Sequence, residues 1–125
     1  MSGYIVVDAS LWVARLVAND VFHTRSRAWM EAQRAAGIRF IAPALLLVEV
    51  AAAISRPTGN PALARRAVGT LQSLADLRLV EMDRRLVQTA TQVATDLGVR
   101  GADAFYIAVA RQLNLPLATL DVDQR

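Results

Sequence analysis

The stretch Tyr4-Ile5-Val6-Val7-Asp8-Ala9-Ser10 decides the reading of the fold. Its apolar, largely β-branched run shows no alternation, which marks a strand covered on both faces, and such strands belong to parallel sheets flanked by helices. Asp8 follows the run at once, and Ser10 opens the helix beyond it. In an open α/β sheet, ligands bind in the crevice at the carboxyl ends of the strands. Asp8 therefore stands at a candidate site.

Downstream, helix and strand alternate. Ser10 to about Val17 reads as a short helix broken at Asn19-Asp20, and His23 to Ala36 as a second, with Trp29, Ala32 and Ala36 as its apolar stripe. Ile38 to Ala42 is a second buried strand, and Pro43 begins a helix at a position where a missing N–H costs nothing. That helix, Ala44 to Arg56, is apolar almost all round except for Glu49, and Pro57-Thr58-Gly59-Asn60-Pro61 is the clearest loop. Ala62 to Leu74 follows as a helix with Leu63, Ala67, Leu71 and Leu74 on one stripe, then Leu77 to Glu81 as a third strand. Asp83 caps a helix carrying Leu86, Ala90, Val93 and Leu97, which Gly98 ends. Gly101 to about Leu113 is apolar on every side, hence buried, and Asn114-Leu115-Pro116 turns the chain into a fourth strand, Leu117 to Leu120. This alternation predicts right-handed crossovers and an α/β fold: a three-layer α/β/α sandwich around a central parallel sheet, in one domain over residues 1–125.

With 125 residues the chain can bury a core without staples. It has no cysteine, which excludes disulfides, thiolate metal sites and cysteine nucleophiles and points to a reducing cytoplasm. The longest charge-free run, Leu86 to Thr95, falls far short of the ~20 apolar residues that span a bilayer, so no membrane association is expected. All 14 basic residues are Arg, against 11 acids, for a net charge of +3. Arginine forks suit phosphate, which makes a nucleic-acid partner plausible, although coding bias explains all-Arg usage equally well. The lone His23 reads as a surface or capping residue, there being no second histidine to share a metal or a proton.

Taken singly, each acid has an ordinary explanation. Asp8 and Asp103 can cap helices, Asp121 can sit in a turn, and Glu49 can be solvated or paired with Arg56. Their positions argue for more. Asp8 and Asp121 directly follow strands, Asp103 lies in the first turn of a buried helix, and Glu49 lies in the helix after the second strand. All of these belong to one edge of a parallel sheet. Glu49 is the outlying member, roughly 10 Å past its strand end at 1.5 Å per residue. Crowded carboxylates repel one another, and a divalent cation normally holds such a cluster together. Oxygen-only donors favour Mg²⁺ or Mn²⁺, which promote phosphoryl-group hydrolysis by activating water and neutralising charge.

The segments Ile5-Val6-Val7-Asp8-Ala9-Ser10, Leu46-Leu47-Val48-Glu49-Val50, Arg100 through Ala110 and Leu117-Ala118-Thr119-Leu120-Asp121 resemble, in order and spacing, the PIN domain in its VapC-type toxin form. The third segment, in which Asp103 opens an alanine-rich aromatic helix, is the most specific. The resemblance implies a Mg²⁺- or Mn²⁺-dependent endoribonuclease, the toxin of a toxin-antitoxin pair, which forms homodimers and is silenced by a small antitoxin protein. By position, Asp8, Glu49, Asp103 and Asp121 take the acidic roles, with Asp8 and Asp103 as direct metal ligands. Ser10 and Thr119 match the polar positions that support the site, and Asp123 is a possible substitute for Asp121. Family members usually continue with a short helix and a last strand, whereas only Val122 to Arg125 remain here; a missing last strand, or a shortened chain, is expected.

Receiver domains and haloacid-dehalogenase-like phosphatases also place acids at strand ends, but both use a lysine, and this chain has none. A non-catalytic module that binds RNA or protein through the acidic cleft remains the alternative.

Overall fold

A computed structural model describes residues 3–120 of the chain. Asp121 and Asp123 lie outside the described residues. The elements run β1 (Tyr4–Val7), α1 (Ala9–Leu16), α2 (His23–Ala35), β2 (Arg39–Pro43), α3 (Leu45–Thr58), α4 (Pro61–Ser73), β3 (Leu77–Val80), α5 (Arg84–Leu97), α6 (Gly101–Leu113) and β4 (Leu117–Ala118). The strands form one parallel sheet in the order β3-β2-β1-β4, flanked by the helices as the alternation predicts.

The sheet is central because its residues have nowhere else to be. Val6 and Val7 in β1 and Phe40, Ile41 and Ala42 in β2 are at most 1 % exposed. Trp12 from α1 meets Phe40 edge-on at 5.6 Å between ring centroids, and Trp29 from α2 lies over the same ring at 6.4 Å. On α6, Ala104, Tyr106, Ala108 and Val109 are all buried, in keeping with its apolar circumference. Leu86, Ala90 and Val93 bury one face of α5, leaving Leu97 half exposed.

Several local expectations are corrected. Pro43 ends β2 rather than starting a helix: it stands opposite Val80, and Ala44 N–H carries the pairing one bond further by donating to Val80 O at 2.8 Å. The helix begins only at Leu45. At its other end α3 passes through Pro57, which lies in the last turn, and stops at Gly59 with φ +62°. Thr58 Oγ1 donates to Ile54 O at 2.6 Å there, adding a bond to a turn in which Pro57 can donate none. Asn60 does not belong to a plain loop. Its side chain accepts from Leu63 N–H at 3.1 Å and caps α4, with Pro61 at the first turn.

The stripe expected on α2 is also displaced. Ala32 and Ala36 are exposed, and the buried positions are Ser26 and Met30, one helical turn apart, with Trp29 half-buried beside them. A methionine one position along outweighs two alanines because it buries far more apolar surface. On α4 the buried residues are Ala64 and Leu71, whereas Leu63 is 37 % exposed. The fourth strand is shorter than expected, ending at Ala118.

Neighbouring positions on α3 give a direct check of this packing. Leu46 is fully buried and Val48 is 65 % exposed. Leu46→Ala should cost ~2–5 kcal/mol in denaturant unfolding, and Val48→Ala no more than about 0.5 kcal/mol.

Candidate acidic active site

The parallel ladder delivers Asp8 to the carboxyl edge of the sheet. Its N–H donates to Ala118 O at 3.2 Å, the last bond between β1 and the neighbouring strand, and the next residue begins α1. Asp8 is the N-cap of that helix: Oδ1 accepts from Ser10 N–H at 3.1 Å and from Ser10 Oγ at 2.6 Å. Thr119 Oγ1 donates to the other oxygen, Oδ2, at 2.5 Å. Ser10 Oγ in turn accepts from Leu120 N–H at 3.0 Å. A carboxylate only 2 % exposed is thus wired to the chain that follows β4, more than a hundred residues away in sequence. Both polar residues expected to support the site do touch Asp8.

Asp103 sits in the first turn of α6, 8 % exposed, where the helix dipole favours negative charge. Its Oδ2 accepts from Arg100 Nε at 2.9 Å. Glu49 comes from the second turn of α3, half-buried, and its Oε1 accepts from Tyr106 Oη at 2.6 Å. Burial pushes the Glu49 carboxyl above the ordinary range; the charges of Asp103 and Asp8 push it the same way, while the Tyr106 hydroxyl and Arg100 pull it back down. Glu49 therefore stands within electrostatic reach of both Asp8 and Asp103. Burial, reinforced by the bond to Glu49, raises the Tyr106 phenol as well, so it stays protonated and remains a donor.

Beside Glu49 an open groove of about 640 Å³ passes Ala52 and Ala53 to Arg56 and Pro57. His23 is not part of the cleft. Its Nδ1 donates to Ala14 O at 2.8 Å and ties the start of α2 to α1.

The donors offered by Asp8, Glu49 and Asp103 are all hard oxygens, the set that suits Mg²⁺ or Mn²⁺, and a cation would relieve the repulsion felt by Glu49. Among the described residues, however, no three acids are gathered closely enough to form a ready cation cage. Each is drawn toward its own donor.

Sequence reasoning overlooked Tyr106 as anything but core. The signal was present in the spacing: Arg100, Asp103 and Tyr106 follow one another at steps of three, which places them along one side of the first turns of α6.

A parallel sheet whose carboxyl edge collects acids from β1, α3 and α6 defines an α/β protein built around an anionic cleft. Residues 5–125 match the family model of the PIN domain. The chain belongs to the PIN domain family. Among solved structures, VapC20 of Mycobacterium tuberculosis, described as a sarcin-ricin-loop-cleaving toxin, is similar with a TM-score of 0.82 and 21% identity, over 96% of this chain and 92% of that one. PAE2754 from Pyrobaculum aerophilum is similar at a TM-score of 0.68 and 22% identity, over 99% and 85% of the two chains. VapBC2 from Rickettsia felis, solved with a fragment of promoter DNA, is similar at 0.70 and 11% identity, over 95% and 88%. No curated protein matches this sequence. No helix among the described residues is long and apolar enough to cross a membrane.

The raised Glu49 carboxyl fixes a pH dependence. An acid whose folded pKa lies above its unfolded value favours the folded state while protonated and destabilises it once ionised. Glu49→Gln should therefore be more stable than the parent near neutral pH, and the gap should close as pH falls below the ordinary carboxylate range, read by urea unfolding across pH. Tyr106→Phe removes the donor that draws Glu49 down, so Glu49 should titrate at higher pH in that variant than in the parent, as followed by side-chain carboxyl NMR.

Proposed function

We propose that the chain is a metal-dependent endoribonuclease of the VapC type, the toxin of a toxin-antitoxin pair. The observation that carries this reading is the buried Asp8, held on both oxygens by Ser10 and Thr119 beside Glu49, whose carboxyl feels the charges of both Asp8 and Asp103. Buried acids that repel one another destabilise a fold, and their retention at a ligand-binding edge argues for chemistry.

Asp8 and Asp103 would hold Mg²⁺ or Mn²⁺. Such an ion supplies an activated water and neutralises charge on the phosphodiester oxygens. Ser10 and Thr119 lock the Asp8 carboxylate in one orientation, so its acceptor oxygens are presented without rotameric loss. Glu49, with its carboxyl raised above the ordinary range by burial, is suited to take and return a proton beside the cleft. Asp121 would complete the acid set and Asp123 is its stand-in, both lying outside the described residues. If four of the 11 acids belong to the cleft, the rest of the chain carries 14 basic residues against seven acids, a net positive charge that would attract an RNA backbone. The site is anionic in a basic protein, so a basic segment of a cognate antitoxin is the inhibitor that fits it. A homodimer acting in the cytoplasm completes the reading.

The decisive experiment incubates the purified protein with total RNA, transfer RNA, ribosomal RNA carrying the sarcin-ricin loop, and single-stranded DNA, in Mg²⁺, Mn²⁺ or EDTA. Cleavage of RNA alone, lost in EDTA and reduced at least about a thousandfold in Asp8→Ala, is expected. Cleavage that persists equally in Asp8→Ala would overturn the assignment. Binding of RNA without any cutting would favour the non-catalytic module.

A further inference from the structure

Each carboxyl of the cleft accepts from a different side chain, and those donors differ in exposure. Asp8 is buried and bonded on both oxygens. Glu49 is held by a phenol that is only 1 % exposed. Asp103 is held by Arg100, whose side chain is 74 % exposed. The guanidinium half of this pair is open to water and to screening by salt, while Asp103 itself is buried. Arg100 also precedes α6 as its N-cap, with an extended backbone at ψ 152°.

The same guanidinium acts on more than one acid, drawing the Glu49 carboxyl down against the repulsion of Asp8 and Asp103. It is a cation placed where the cleft needs positive charge. Its bond to Asp103 Oδ2 also engages an oxygen that a metal ion would require.

We propose that Arg100 is a displaceable internal counter-ion: without a divalent cation it closes on Asp103 and offsets the charge of the cleft, and a cation binds by taking Asp103 from it. This rests on the metal-dependent reading above and adds a regulator to the same site. The physical consequence is a competition. Free energy spent in releasing Asp103 is subtracted from the affinity of the cation, so the protein binds metal less tightly than its acids alone would allow, while its metal-free cleft is spared uncompensated charge.

The test is calorimetric titration of Mn²⁺ into the parent protein, Arg100→Gln and Arg111→Gln, with thermal unfolding to confirm that each is folded. Arg111 lies in the last turn of the same helix and controls for net charge. Arg100→Gln should bind Mn²⁺ about two- to fivefold more tightly than the parent, Arg111→Gln should match the parent, and the gain should shrink at high salt as screening weakens the parental ion pair. Equal affinity in all three proteins overturns the proposal, as does equal tightening by both substitutions, which would reflect net charge alone. Weaker binding by Arg100→Gln overturns it too, and would assign Arg100 to orienting Asp103. The parental titration separately tests the metal reading: no Mn²⁺ affinity there overturns that reading and the counter-ion with it.

Discussion

Burial of carboxylates at one sheet edge is the constraint around which this structure is arranged. Asp8, Glu49 and Asp103 arrive from β1, α3 and α6, and an acid removed from water must be given donors or counter-charge. Each receives a different kind. Asp8 takes two hydroxyls and a backbone N–H, Glu49 a buried phenol, and Asp103 an exposed guanidinium. These bonds also connect the fold, since Thr119 and Leu120 tie the end of β4 to the start of α1, and Tyr106 ties α6 to α3.

The apolar core makes this arrangement tolerable. Val6, Val7, Phe40, Ile41 and Ala42 form a sheet centre excluded from water, and Leu46, Val50 and Val109 from α3 and α6 are as fully buried as the sheet. Burial of such side chains supplies the dominant favourable free energy, against which a raised Glu49 carboxyl is a local cost. The same core aligns the strands in parallel, so every strand end and following helix start faces one edge. A site of this kind is held by the whole sheet rather than by any single loop.

Alternation of helix and strand was legible because its signals are local. The unbroken apolar run before Asp8 meant a doubly covered strand; Asp83 and Gly98 bounded α5 where a cap and a left-handed residue belong, with Gly98 at φ +65°. Pro43 shows the limit of such signals. A proline suits a helix start and a strand end alike, and the pairing of β2 with β3 decided between them. Ala32 and Ala36 likewise fit a 3.6-residue period, but Met30 and Ser26 took the buried side of α2.

For the site, sequence by itself determined which acids follow strands and which residue types could support them, because chain order in a parallel sheet dictates the edge on which they emerge. Asp8 could be placed on that edge from position alone, whereas the supporting roles of Ser10 and Thr119 came from the resemblance to the PIN domain. Only the tertiary structure decided how each charge is satisfied. Tyr106 and Glu49 are 57 residues apart, and although its spacing from Asp103 sets Tyr106 on the same side of α6, nothing in either local segment names Glu49 as the carboxylate it donates to. That contact depends on the packing of α3 and α6 at the cleft, a long-range geometry that no periodicity or spacing records.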